Sequence, residues 1–188
     1  MIGIDEVGRG AWAGPLLVCA ARLKAGKKHV EGVDDSKKLS KLNREELYVQ
    51  LLNCYEFGEG WISNKVIDEV GLSKALKCGA LLALQQLNAR SSEVIIIDGT
   101  VNFTKGTKYK KSKTLIRADG IIKEVSAASI YAKVLRDNYM YSQHEKFHEY
   151  GFMTNVGYGT KRHTKAIQLH GVTPLHRTSF KLPKKGAA

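Results

Sequence analysis

At 188 residues the chain is long enough for one well-buried domain, or a main domain with a small appendage, and too short for two of full size. Hydrophobic residues make up 43% and charged residues 26%, a globular balance that excludes a disordered, collagen-like or coiled-coil chain. Thirty Lys and Arg against eighteen Asp and Glu give a formal charge of +12, which favours a polyanionic partner, most simply nucleic acid.

In chain order, residues 1–4 lead straight into Asp5-Glu6-Val7-Gly8-Arg9-Gly10, and residues 16–23 form a mostly apolar run of strand length. Two adjacent strands joined through a glycine-rich turn are expected. Asn43-Arg44-Glu45-Glu46 has the spacing of a helix cap, followed by Leu47, Leu51, Leu52 and Tyr55 at helical spacing. Residues 57–63 suit a third strand. From Ser73 a second helix is expected, with Leu72, Leu76, Ala80, Ala83, Leu84 and Leu87 on one face. Val94-Ile95-Ile96-Ile97 is β-branched throughout, as in a strand buried on both faces, and Asp98-Gly99 ends it. Residues 115–118 are a weaker strand ending at Asp119. Ala127, Ile130, Tyr131, Val134, Leu135 and Asn138 predict a long helix over residues 126–147, and a short helical piece follows near residues 164–169.

No repeat or Pro/Ser-rich linker divides the chain, so a single domain over residues 1–188 is expected, helical from about residue 140. The fold class expected is α/β, a sheet packed against helices. No apolar run approaches a membrane span and no charged-then-apolar leader is present, so a soluble, unexported, cytoplasmic protein is expected. Cys19, Cys54 and Cys78 form no Cys-x-x-Cys pair and read as reduced core residues.

Acidic residues at strand ends are the main chemical feature. Asp5 and Glu6 close the first strand, Asp98 closes the most buried one and Asp119 follows the next, so three strands can deliver carboxylates to one sheet edge. Adjacent strand residues point to opposite faces, so Asp5 and Glu6 share a site only where the strand breaks, for which Gly8 and Gly10 are placed. Four carboxylates together repel unless a divalent cation neutralises them, and all-oxygen ligation suits Mg²⁺ or Mn²⁺. Acids plus metal in a basic protein point to phosphodiester chemistry; ordinary turn and cap aspartates are the plain alternative. Asp137 also lies beyond Asp98, but in mid-helix with Lys133 at helical spacing, which suits a surface or structural ion pair.

A competing signal is His144-Glu145-Lys146-Phe147-His148, which matches the H-E-x-x-H pattern of zinc metallopeptidases. Thr154 stands where the longer form of that motif places a third histidine, and the segment is polar on most sides.

Seven blocks, in order and over nearly the whole chain, resemble ribonuclease HII: Gly3 to Gly10, Asp34-Asp35-Ser36-Lys37-Lys38-Leu39, Ile97-Asp98-Gly99, Ser126-Ala127-Ala128-Ser129-Ile130, Ala132 to Asp137, Gly157-Tyr158-Gly159-Thr160 and Thr173 to Phe180. The resemblance implies an RNase H-like mixed β-sheet flanked by helices, with a C-terminal helical extension. It implies an endonuclease that cuts the RNA strand of RNA-DNA hybrids and 5′ to single ribonucleotides in duplex DNA, leaving a 3′-hydroxyl and a 5′-phosphate. It carries the metal ligands onto Asp5, Glu6, Asp98 and Asp119, with a two-metal mechanism using Mg²⁺ or Mn²⁺. Gly8, Arg9 and Gly10 would read the ribose 2′-hydroxyl, Tyr158 would stack on the neighbouring deoxyribose, and Lys37 and Lys38 would contact phosphate. The implied roles are ribonucleotide excision repair and primer removal during DNA replication. A non-catalytic nucleic-acid-binding module is the other alternative; retention of all four acids argues against it. A monomer is expected, and no docking motif for replication or transcription machinery is evident after Phe180. Three positions depart from the family pattern: Arg117-Ala118 where Lys-Gly is common before the fourth acid, Val156 where a lysine is common, and the bulky Trp12 after Gly10.

Overall fold

A computed structural model describes residues 1–33 and 39–186, so the expectation for Lys37 and Lys38 lies outside the described residues. Within these, the strands are β1 (Ile2–Val7), β2 (Leu16–Leu23), β3 (Tyr55–Ile62), β4 (Ile95–Asp98) and β5 (Ser112–Leu115). The helices are α1 (Lys41–Cys54), α2 (Asn64–Val70), α3 (Leu72–Gln86), α4 (Lys123–His144), α5 (Phe152–Asn155) and α6 (Lys161–His170). The strands make one mixed sheet in the order β3-β2-β1-β4-β5. Within it β2 is antiparallel to both β1 and β3, whereas β4 is parallel to β1 and β5 to β4.

Both faces of the sheet are covered. Leu16, Val18 and Ala20 of β2 join a core with Leu76, Ala80, Ala83 and Leu84 of α3. Leu17, Cys19 and Ala21 point the other way, into a core with Ala127, Ala128 and Ile130 of α4 and Leu47 and Leu51 of α1. The two-residue period of a strand sends neighbours to opposite faces, and apolar cover on both explains why this segment reads as a continuous apolar run. Glycine lets α3 approach closely: a Cβ at Gly58 would stand 2.0 Å from the Ala83 carbonyl oxygen, and one at Gly60 1.9 Å from that of Gly79.

Several boundaries differ from the sequence expectation. The cap of α1 is Ser40, whose hydroxyl accepts the Asn43 N–H at 3.1 Å, so the helix starts ahead of Asn43. The short α2, capped by Ser63, was not expected, because seven residues carry too few turns for a helical period to emerge. The long helix α4 starts three residues early, at Lys123, and ends at His144. In β4, Ile95 and Ile97 are fully buried but Ile96 is only half-buried and Val94 is exposed, so one face of this strand is incompletely covered. The fifth strand ends at Leu115; Arg117 then adopts a left-handed φ of 58° and turns the chain into a 3-10 turn, Ala118–Gly120, that carries Asp119. Asp119 therefore lies beyond a turn and not at a strand end. Of the cysteines only Cys19 is buried; Cys54 is half-buried and Cys78 exposed.

The C-terminal segment packs a third core, with Tyr150, Phe152, Val156, Ala166 and Ile167 gathered on Met140 of α4 and on Ala13. It returns to the turn after β1: Trp12 and Ala13 N–H both donate to the Gly157 carbonyl, at 2.8 and 3.1 Å, and Arg177 N–H donates to that of Trp12 at 2.8 Å. This return places Tyr158 beside the end of β1. Among the described residues no helix is long and apolar enough to cross a membrane.

Candidate active site

The parallel pairing of β1 with β4 sets Ile4 opposite Ile97, so Asp5 and Asp98 are the next residues at the same sheet end. Asp5 is buried, at 6% exposure, and its Oδ1 accepts the Glu6 N–H at 2.8 Å. The Ser129 hydroxyl, from α4, also hydrogen-bonds this carboxyl. Burial first, then the charges of Glu6 and Asp98, push the Asp5 carboxyl up to about 8. Asp98 Oδ1 accepts the Ala118 N–H at 2.7 Å, tethering the turn that carries the buried Asp119. Arg117 takes the left-handed conformation there, leaving Ala118 to present its N–H to Asp98.

Asp5 and Glu6 face one cavity of about 340 Å³, shared with the turn 7–10, Ser129, Lys133 and Tyr158. Adjacent strand residues do this because β1 ends at Val7 and Gly8 folds the chain over at φ 83°. A side chain at Gly8 would meet Arg136, whose Nε would stand 2.1 Å from its Cβ. The Gly8 N–H donates to the Tyr158 hydroxyl at 3.1 Å, and the Tyr158 ring lies over the Arg136 guanidinium at 5.5 Å. Arg9 is exposed and reaches Glu6 Oε1 at 3.3 Å, an open pair of small energetic weight. Asp98 and Asp119 are not among the residues that line it.

Two cavity residues escaped the sequence reading. Ser129 and Lys133 sit one helical turn apart on the α4 face that meets β1; their i, i+4 spacing amid Ala127, Ala128 and Ala132 was the available signal. Lys133 Nζ pairs with Asp137 at 2.7 Å, and that carboxylate is buried, so of the surface or structural ion pair expected there it is the structural one. Asp137 faces a different groove, with Lys41, Arg44 and Tyr141.

The zinc-peptidase signal does not survive folding. Helix α4 stops at His144, Glu145 is its C-cap, and His148 opens a separate 3-10 turn, so the two histidines are not stacked on one helix. The His148 side chain is 73% exposed and faces Glu149. The remaining family departures find places nearby: Trp12 packs on Gly159 and tilts against His163 at 5.5 Å, and Val156 adopts φ 41°, a left-handed conformation that strains a β-branched residue.

The donor chemistry fits a hard divalent cation. A buried carboxyl raised by two neighbouring carboxylates is stabilised by positive charge, and every candidate ligand is oxygen. Among the described residues no three His, Cys, Asp or Glu side chains cluster closely enough to cage an ion unaided.

A mixed five-stranded sheet with helices on both faces and acids at its edge defines an RNase H-like nuclease, a hydrolase of phosphodiesters. The family model for ribonuclease HII matches residues 2–183, and the chain belongs to that family. It is 40% identical to the ribonuclease HII of Rickettsia felis over 95% of this chain and 90% of that protein. The structure of the PCNA:RNase HII complex from Archaeoglobus fulgidus superposes with a TM-score of 0.79 at 27% identity, covering 98% of this chain and 96% of that one. Bst-RNase HIII, solved in complex with Mn²⁺, shares the fold at a TM-score of 0.70 and 22% identity, covering 96% of this chain and 66% of that one. The chain is accordingly an RNase H endonuclease that acts on RNA-DNA hybrids.

Proposed function

We propose that the protein hydrolyses the phosphodiester on the 5′ side of a ribonucleotide, in hybrids and at single ribonucleotides within duplex DNA, leaving a 3′-hydroxyl and a 5′-phosphate. The observation that carries this is the shared cavity, lined by Asp5 and Glu6 together with the Gly8-Arg9-Gly10 turn and Tyr158. Acid-rich and sugar-reading groups thus meet one stretch of backbone. Asp5, Glu6, Asp98 and Asp119 would hold Mg²⁺ or Mn²⁺, in line with the Mn²⁺ complex of the more distant RNase HIII. When bound, a pair of such ions supplies activation of water and stabilisation of the leaving oxygen.

The chain's own groups do the rest. The Asp5 carboxylate is oriented by the Glu6 N–H and the Ser129 hydroxyl. Asp98 holds the Asp119 turn in place through Ala118. Glycines at 8 and 10 let main-chain groups approach the ribose, where the 2′-hydroxyl marks RNA, and Tyr158 packs against the adjoining sugar. Arg9 and Lys133 place positive charge beside the phosphate. The biological role that follows is removal of misincorporated ribonucleotides and RNA primers by one folded unit acting as a monomer. The Archaeoglobus fulgidus relative is solved in complex with PCNA.

The test is digestion of a duplex bearing a lone ribonucleotide, in Mg²⁺, Mn²⁺ and EDTA, with product ends mapped. A single cut 5′ to the ribonucleotide, dependent on metal, is the expected result. Cleavage 3′ to it, or undiminished cleavage in EDTA, would overturn the assignment.

A further inference from the structure

Two arginines carry charge where water does not reach. Arg136 on α4 and Arg177 in the C-terminal segment are both fully buried. Among the described residues neither forms an ion pair with a carboxylate. An ionised group out of water with no carboxylate in direct contact is costly, and the fold keeps two close enough to repel each other. Burial, then repulsion from Arg136, lowers Arg177 to about 10, and burial lowers Arg136 as well.

Their donors go to main-chain carbonyls around one turn. Arg136 gives Nε to Pro15 at 2.8 Å, Nη2 to Ala13 at 3.1 Å and Nη1 to Val156 at 2.9 Å. Arg177 gives Nη1 to Arg9 at 3.0 Å, and Nε and Nη2 to Gly14 at 3.1 and 3.0 Å. Such bonds position backbone and ignore side-chain identity. Arg136 also underlies the Tyr158 ring, whose hydroxyl takes the Gly8 N–H, and its bond to Val156 holds the strained residue two before Tyr158. Arg136 therefore touches both the turn that follows β1 and the segment that carries Tyr158.

We propose that Arg136 and Arg177 are positioning residues, a buried clamp that fixes the Gly8-Arg9-Gly10 turn against Tyr158 and thereby sets selectivity for a lone ribonucleotide over a continuous hybrid. The proposal rests on the reading of that turn and Tyr158 as the sugar-contacting groups. Telling a hydroxyl from a hydrogen on adjacent sugars depends on placement to a fraction of an ångström, whereas cutting a continuous hybrid offers many acceptable registers. A planar fork with five donors can span three carbonyls; a lysine ammonium cannot, although it preserves the charge.

The experiment compares wild type, Arg136→Lys, Arg177→Lys and Arg9→Ala on a duplex with one ribonucleotide and on a continuous RNA-DNA hybrid, with circular dichroism and Tm for each. The lysine variants should lose about 10- to 100-fold in kcat/KM at the lone ribonucleotide and no more than about threefold on the hybrid. Equal losses on both substrates, or losses that track a fall in Tm, overturn the clamp in favour of plain scaffolding. If Arg9→Ala is selective while the lysine variants are not, only the clamp fails. If Arg9→Ala itself loses equally on both, the sugar-contact reading fails and the clamp with it. Should Arg136→Lys not fold, Arg177→Lys carries the test, since it frees only the Arg9 and Gly14 carbonyls; failure of both to fold assigns the pair to the scaffold.

Discussion

Replacing Asp5 with Asn should remove activity and, in metal-free buffer, stabilise the fold. The Asp5 carboxyl rises from 3.8 to about 8 on folding, because burial and the neighbouring Glu6 and Asp98 charges disfavour its ionised form. The folded state then holds a proton that the unfolded chain has lost, so stability falls as pH rises through the window from 3.8 to about 8. The cost is about 1 kcal/mol at pH 4.5 and about 5 kcal/mol at pH 8 before any local relaxation. Asn keeps an oxygen for the Glu6 N–H, sheds the charge and turns an amide toward the flanking carboxylates. With roughly 2–4 °C per kcal/mol for a chain of this size, Asp5→Asn should gain roughly 10–20 °C in Tm at pH 8 in EDTA, and only a few degrees at pH 4.5. Thermal unfolding followed by circular dichroism at the two pH values measures this, and Mg²⁺ or Mn²⁺ should raise the Tm of wild type more than that of the variant. No gain at pH 8, or an equal gain at both pH values, would show that the Asp5 charge is not the buried burden described.

Asp119→Asn should cut kcat by roughly two or more orders of magnitude with substrate binding largely kept, whereas Asp137→Asn, which only releases Lys133, should stay within about tenfold; steady-state kinetics on a hybrid substrate separate the two. The double variant His144→Ala, His148→Ala should retain nuclease activity within a few-fold, and stoichiometric zinc in the purified wild-type protein would contradict that expectation. Gly60→Ala should lower stability by roughly 1–3 kcal/mol in urea unfolding, because the new methyl meets the Gly79 carbonyl oxygen on α3 and the helix must move off the sheet.

Local pattern was enough for the long elements. Residues 16–23 announced a strand, the period through Ala127 to Asn138 announced α4, and Asp5, Glu6 and Asp98 declared themselves as acids at the ends of apolar strands. These features depend on side-chain period and on what a strand end can carry, both properties of a few neighbouring residues. Short pieces such as α2 and α5 had too few turns to register, and Ser40 capped α1 where Asn43 seemed the better candidate. The histidine pair at 144 and 148 matched a metal pattern in one dimension only, since the helix that would align them ends between the two.

The tertiary structure alone decided what surrounds those acids. The parallel register of β1 with β4 put Asp98 beside Asp5, and packing of α4 brought Ser129 and Lys133 to Asp5 and Glu6 across more than a hundred residues of chain. The third core carried Tyr158 back to Gly8, and the buried Arg136 and Arg177 tied that meeting together through carbonyls no sequence pattern identifies. A carboxylate's type and place in a strand are written locally. Its burial, its charged neighbours and hence its proton affinity are sums over groups distant in sequence, and they exist only once the sheet and its helices have assembled.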